Sequence, residues 1–284
     1  MLASFLLMSL VALCHGLRPV AQWRVAPKAG GYVSVGAGRS TQRAAGRAHT
    51  ALSALPTVFQ VASAAPVMYA CMSFSEYVTH RVYQHAEFNK APFVQWVASL
   101  LLRNNGAGFK IRGGGHVEHH AETLDDMSLK KDERWLKSPA AQLLSSDPYR
   151  GTAFTWTVTF LMFLQLVVTC VPVMGIFGWS PLATVGWILP SLAAHTCIWN
   201  TIHPPMHGLP SVPATQGPPG EVFARYRNGA IFKWLEHNHV GHHVVGGQGN
   251  YNVCCPGGDF VFGTYVPKKQ WMSKLSPEVA SLYL

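Results

Sequence analysis

Ala51 to Phe74 runs for 24 residues without an Asp, Glu, Lys or Arg. At about 1.5 Å per residue this exceeds a hydrocarbon core of roughly 30 Å, so the pattern predicts a membrane helix, bent at Pro66. Thr152 to Trp199 is a second such stretch, 48 residues long. Gly175, Gly178 and Pro181 interrupt it where a turn is expected, so it reads as a hairpin of two spans. Ala91 to Leu102 is apolar over only twelve residues. A helix of that length reaches about 18 Å and is expected to dip into the bilayer and return, or to lie at its interface.

The two ends of the hairpin lie on one side of the membrane. The segments that flank it, 103–150 and 200–284, carry the charged residues and are basic, which favours the cytosolic side or its organelle equivalent for both. Composition agrees with this picture, since 49% of residues are hydrophobic and only 12% charged. An ordinary soluble domain has about twice that charged share.

The net charge is +9, from 22 Lys and Arg against 13 Asp and Glu. Much of the excess is N-terminal: no acid precedes Glu76, while Arg18, Arg24, Lys28, Arg39, Arg43 and Arg47 do. The other basic residues are scattered through loops without a dense stripe or interleaved aromatics, so no nucleic-acid partner is expected. Met1 to Cys14 is an apolar run with small residues at Cys14 and Gly16 that suit signal cleavage before Leu17. Leu17 to Thr50 then has the acid-free composition of an organelle transit segment. The pair is similar to the bipartite leaders of complex plastids; a basic, disordered tail fits the same composition. The expected organisation is a leader over residues 1–50 and one membrane domain over 51–284, in a plastid membrane or the endoplasmic reticulum.

The six cysteines, at 14, 71, 170, 197, 254 and 255, form no Cys-x-x-Cys pair and no disulfide framework. They read as small buried hydrophobes.

Histidine carries the chemistry. Fourteen are present, and apart from His15 and His49 all fall in the segments placed on one side of the membrane or at its edge. His80 and His85 lie in EYVTHRVYQH; His116, His119 and His120 form HVEHH; His203 and His207 lie in NTIHPPMHG; His239, His242 and His243 form HVGHH. On a helix, positions i, i+3 and i+4 share a face, so each triplet is expected to aim three imidazoles at one point. His203 and His207 are also four apart, with His203 taken as the residue before a short helix begun by Pro204 and Pro205. His80 and His85 are about 140° apart on a regular helix, so one of them is expected where the helix frays or bends. Ten clustered imidazoles repel one another if protonated and lose hydration if buried neutral, whereas metal ions satisfy their lone pairs. Ten ligands suggest two ions with about five apiece. The expected fold class is therefore all-α: multi-pass membrane helices with a helical, histidine-rich metal-binding cap on one side of the bilayer.

Imidazole suits zinc, copper, iron and nickel alike. No HExxH motif of a zinc protease occurs, and a closed structural zinc site needs only four ligands.

The order HRVYQH, HVEHH, hairpin, HPPMH, HVGHH resembles the fatty acid hydroxylase/sterol desaturase superfamily and the related carotenoid β-ring hydroxylases. The resemblance covers about residues 70 to 266. EYVTHRVYQH looks like the first box of that family, Asp125 follows HVEHH where many members have an aspartate, and GNYNVCCPGGDFVFGTY is similar to their closing segment. It implies two iron ions held by His80, His85, His116, His119, His120, His203, His207, His239, His242 and His243. It further implies molecular oxygen as co-substrate and an external electron donor, a small b-type cytochrome or ferredoxin, since no fused haem domain is recognisable. The implied reaction is hydroxylation or desaturation of a C–H bond in a lipid, fatty-acyl or sterol-like, with no catalytic side chain beyond the metal centre. Glu76, His195 and Asp125 are expected to stand behind the ligands, Glu76 by fixing a ligand tautomer or by pairing with Arg81. Asp259 is expected in a turn or cap. Three positions depart from the pattern: Gly208 stands where a further histidine is frequent, Asn200 in place of an aspartate and Thr123 in place of a proline. A carotenoid β-ring hydroxylase is the alternative enzyme, and a membrane metal-binding protein without turnover is the alternative of another class.

Overall fold

The computed structural model describes residues 57–101, 110–213, 221–222, 225 and 227–284. The leader, the first residues of the span expected over 51–74, and Leu102 lie outside them. The described residues are helical without a β-strand; a single bridge joins Thr123 and Leu129.

In chain order the helices are α1 (Thr57–Val78), α2 (Pro92–Leu101), α3 (His116–Glu122), α4 (Glu133–Leu136) and α5 (Pro139–Leu144). Then come α6 (Trp156–Ile176), α7 (Pro181–Met206), α8 (Ala230–Val244), α9 (Gly258–Phe262), α10 (Lys268–Met272) and α11 (Pro277–Ser281). Three segments are long and apolar enough to cross a membrane: Val58–Gln84, Trp156–Ile176 and Pro181–Met206. Pro66 lies inside α1. Helix α2, ten residues long, is not among the three spans; it exposes Phe93, Trp96 and Leu100 and buries Ala98.

The hairpin turns where its sequence breaks. Gly178, at φ 85°, closes α6 by donating to the Gly175 carbonyl while Phe177 and Trp179 donate to that of Met174, and Ser180 caps α7 ahead of Pro181. A serine N-cap followed by proline at the first helical position satisfies the free N–H groups and presets φ. Helices α1, α6 and α7 pack around Met68, Met72, Met162, Leu166, Ile188 and Trp199, all buried. Outward positions such as Val58, Phe160, Ile176, Leu182 and Leu189 are exposed and apolar, as helices facing lipid require.

The two ends of this bundle differ. At one, Gln60 bonds to the Gly178 carbonyl at 2.8 Å and accepts from the Trp179 indole at 3.1 Å. At the other, the Asn200 amide bonds both backbone groups of Phe154, its oxygen accepting at 2.7 Å and its NH2 donating at 3.2 Å. All ten histidines of the four boxes gather at this second end.

Helix α7 corrects one expectation. It does not stop before Pro204 and restart; it runs unbroken to Met206, with both prolines in its last turn. Prolines there forfeit bonds to the carbonyls of Asn200 and Thr201, four residues back. Those carbonyls find other donors: Val212 N at 3.1 Å for Asn200, and Arg227 at 2.9 Å and Ser211 Oγ at 3.1 Å for Thr201. The helix persists because the returning chain supplies what proline lacks.

Candidate metal centre

Each box is delivered by a distinct local device. After α1 the backbone widens into a π-helical turn, Thr79–Gln84, closed by His85 N to His80 O at 3.0 Å. Bonding between residues five apart stacks them. The two rings, which a regular helix would separate, lie 5.0 Å apart. Helix α3 carries HVEHH, α8 carries HVGHH, and α7 ends with His203 in its last turn and His207 at its C-cap.

These ten rings form two groups. In the first, Nε2 of His80 lies 2.8 Å from that of His116, His116 3.2 Å from His120, His120 3.1 Å from His242, and His242 2.9 Å from His85. In the second, Nε2 of His239 lies 2.9, 3.0 and 3.1 Å from those of His203, His207 and His243, and His207 lies 3.2 Å from His119. The liganding atoms of His80, His85, His116, His120 and His242 all lie within 4.8 Å of one another, as do those of His119, His203, His207 and His243.

The triplets therefore do not each aim at one point, as their spacing had suggested. His116 and His120 join the first group while His119 joins the second; His239 and His243 join the second while His242 joins the first. At about 100° per residue, i+4 lies about 40° to one side of i and i+3 about 60° to the other, so a helix between two sites divides its triplet two to one.

The hydrogen bonds behind the rings fix what faces inward. His80 Nδ1 donates to Tyr251 O at 2.5 Å, His116 to Gly151 O at 2.7 Å, His242 to Gly249 O at 2.5 Å and His203 to Thr152 O at 2.6 Å. A carbonyl only accepts, so these Nδ1 atoms carry the protons and, in the neutral rings, each Nε2 presents a bare lone pair. His80 and His116 thus point two lone pairs at each other across 2.8 Å, which is repulsive unless a cation takes both. Nitrogens about 2.1 Å from one metal ion and at right angles about it lie about 3.0 Å apart. The observed 2.8–3.2 Å edges fit that separation.

Burial keeps the rings unprotonated. It holds His116 down to about 4, and His207 and His242 to about 3. His85, His119, His120, His239 and His243 are also pushed below the ordinary value, first by burial and then by neighbouring imidazoles. A neutral imidazole is the form that binds metal. Beside His207, a cavity of about 370 Å³ is lined by Met127, Ser128, Leu129, Lys131, Met206 and Leu209.

The residues expected behind the ligands are arranged differently. Glu76 meets neither a box histidine nor Arg81. Its Oε2 accepts from His195 Nε2 at 2.6 Å and from Cys255 N at 2.9 Å; its Oε1 accepts from Cys254 N at 2.9 Å and from Val253 N. Arg81 pairs instead with Glu87 at 2.6 Å. Asp125 is exposed in the turn after α3, where its carbonyl accepts from the Tyr283 hydroxyl at 3.1 Å, so it orients no ligand. Asp259 is buried and holds a turn, accepting from the backbone of Tyr251 and Asn252 at 2.9 and 2.7 Å. Glu76, His195 and Cys254 lie close enough to be a third metal-binding group. The carboxylate oxygens are already taken by four N–H donors, and this argues against an ion there. Sequence reasoning missed the carbonyls of Gly151, Thr152, Gly249 and Tyr251: a backbone oxygen carries no residue signature.

No protein-family model, curated protein or solved structure matches the chain significantly.

Proposed function

We propose that the protein is a membrane oxidoreductase that uses two metal ions, iron by its resemblance to the histidine-box hydroxylases, to hydroxylate or desaturate a C–H bond of a lipid. The observation that carries the metal reading is the convergence of bare Nε2 lone pairs at 2.8–3.2 Å on rings whose Nδ1 protons are committed to backbone carbonyls. Ten neutral imidazoles in two groups of five fit two divalent transition ions. When bound, such a pair supplies oxygen activation and removal of hydrogen from an unactivated carbon.

The protein's own residues supply position. His80 ends the first span and His203 the third, so the centre sits where the apolar bundle meets its polar cap. The Val58–Gln84 span, 27 residues, measures about 40 Å against a hydrocarbon core of roughly 30 Å, and its histidine end extends beyond the core. A lipid within the bilayer reaches such a site without crossing water. Ligands at one end of the bundle also suit turnover at the membrane edge better than transport, which favours sites near the midplane.

The test is lipid and pigment profiling of a host that expresses the protein with a compatible reductase, alongside metal analysis of the purified chain. Close to two metal ions per chain and a new oxygen-dependent lipid product are expected. A new hydroxylated carotenoid would move the assignment to that substrate. Metal without any product would leave the non-catalytic reading.

A further inference from the structure

Residues 249–255 lie against the first histidine group, and their carbonyls at Gly249 and Tyr251 accept the Nδ1–H of His242 and His80. The N–H groups of the same segment point the other way. Those of Tyr251 and Asn252 go to Asp259, and those of Val253, Cys254 and Cys255 go to Glu76. Five successive backbone donors thus wrap two buried carboxylates, an anion nest filled from within the chain. Glu76 and His80 are four apart on the helical backbone, so one face of the first span grips the segment twice, by the Glu76 carboxylate and by the His80 imidazole. His195, from the third span, donates to Glu76 at 2.6 Å and ties that grip to α7.

We propose that Glu76, held by His195, is a positioning residue for the first metal ion: by anchoring the backbone of residues 253–255 it holds in place the segment whose Tyr251 carbonyl sets the tautomer and direction of His80. The inference rests on the metal reading above. Charge supports it as well as geometry. Every ligand in the first group is neutral, so a divalent ion there finds no anion among its ligands. Glu76 and Asp259 are the buried carboxylates one hydrogen-bond layer behind. Partners of this kind typically change metal affinity by about 10- to 100-fold.

Glu76→Gln keeps the shape and removes the charge. One oxygen still accepts, but whichever way the amide turns its NH2 faces two N–H groups, those of His195 and Cys255 or those of Val253 and Cys254, donor against donor. Full-length wild type and E76Q are purified in detergent, loaded with cobalt(II) and titrated with a chelator while metal per chain and the cobalt absorption are read. The His80→Ala and His203→Ala proteins provide reference spectra for loss from the first and second groups. In E76Q the first-group signal should disappear at about 10- to 100-fold lower chelator, with the second-group midpoint unchanged. His195→Gln, which keeps an N–H donor, should hold the wild-type midpoint, and His195→Leu should follow E76Q.

Unshifted midpoints in folded E76Q, or equal shifts of both groups, overturn the proposal while leaving the metal reading intact. If E76Q does not fold, the His195 pair decides: identical midpoints for Gln and Leu overturn it. A wild-type protein that binds no metal overturns both.

Discussion

In the first histidine group, His80, His116 and His242 each donate Nδ1–H to a backbone carbonyl. In the second, His203 does so, whereas the Nδ1 atoms of His119 and His239 are buried without a partner among the described residues. Each group has five rings with neighbouring Nε2 atoms 2.8–3.2 Å apart, although in the second only four of the five, without His239, lie mutually within 4.8 Å. What differs is how firmly the rings are aimed. A ligand held from behind loses less freedom on binding and keeps its lone pair in place. The second group, beside the cavity at His207, has fewer of its rings fixed from behind.

The largest effect tests whether both groups are needed at all. His242→Ala and His119→Ala should each abolish product formation, leave membrane insertion intact and lower metal from two ions per chain to one, with opposite ions lost. Oxygen-dependent turnover at the wild-type rate in either variant would falsify the assignment. Next comes the difference in bracing. Chelator should strip wild-type protein in two phases separated by about 10- to 100-fold in concentration, the second group emptying first; a single phase breaks the comparison.

A backbone lesion should act on one group only. Gly247 adopts φ 71°, and a Cβ there would meet His85 Cε1 at 2.4 Å. Gly247→Ala should therefore displace His85 and weaken the first ion, while the second is retained in the same metal analysis. Acid, in contrast, should treat the groups alike. His116 and His242 in the first and His207 in the second titrate at about 4, 3 and 3 when folded, against about 6.5 unfolded. Between those values the unfolded chain binds more protons, so stability rises with pH. Metal-free protein should lose melting temperature as pH falls from about 6.5 towards 3; a flat profile would mean the rings are not buried neutral.

The smallest effect concerns the third box. Because α7 already runs through Pro204 and Pro205, and because Val212, Ser211 and Arg227 serve the freed carbonyls, replacing both prolines with alanine should leave two metal ions in place. Activity should change little, since alanine continues the helix that Pro204 and Pro205 already occupy. Loss of the second ion in that variant would show that the prolines aim His203.

Composition and periodicity were sufficient for the helical class, the two-span hairpin with its turn at Gly178, and the ten histidines that meet. Each of these follows from local properties: apolar length against the reach of a helix, glycine where φ must be positive, and imidazoles recurring at helical spacing. The division of HVEHH and HVGHH between two groups was decided elsewhere, because a helix face has a direction only once another helix stands on either side of it. The π turn that unites His80 with His85, the continuity of α7 through its prolines and the turning of Glu76 towards residues 253–255 have the same origin. In each case a backbone N–H or C=O from a distant segment settles the local choice, and backbone groups are identical at every position except proline. Sequence could therefore name the histidines that meet, while only the tertiary structure could say which group each one joins and what holds it there.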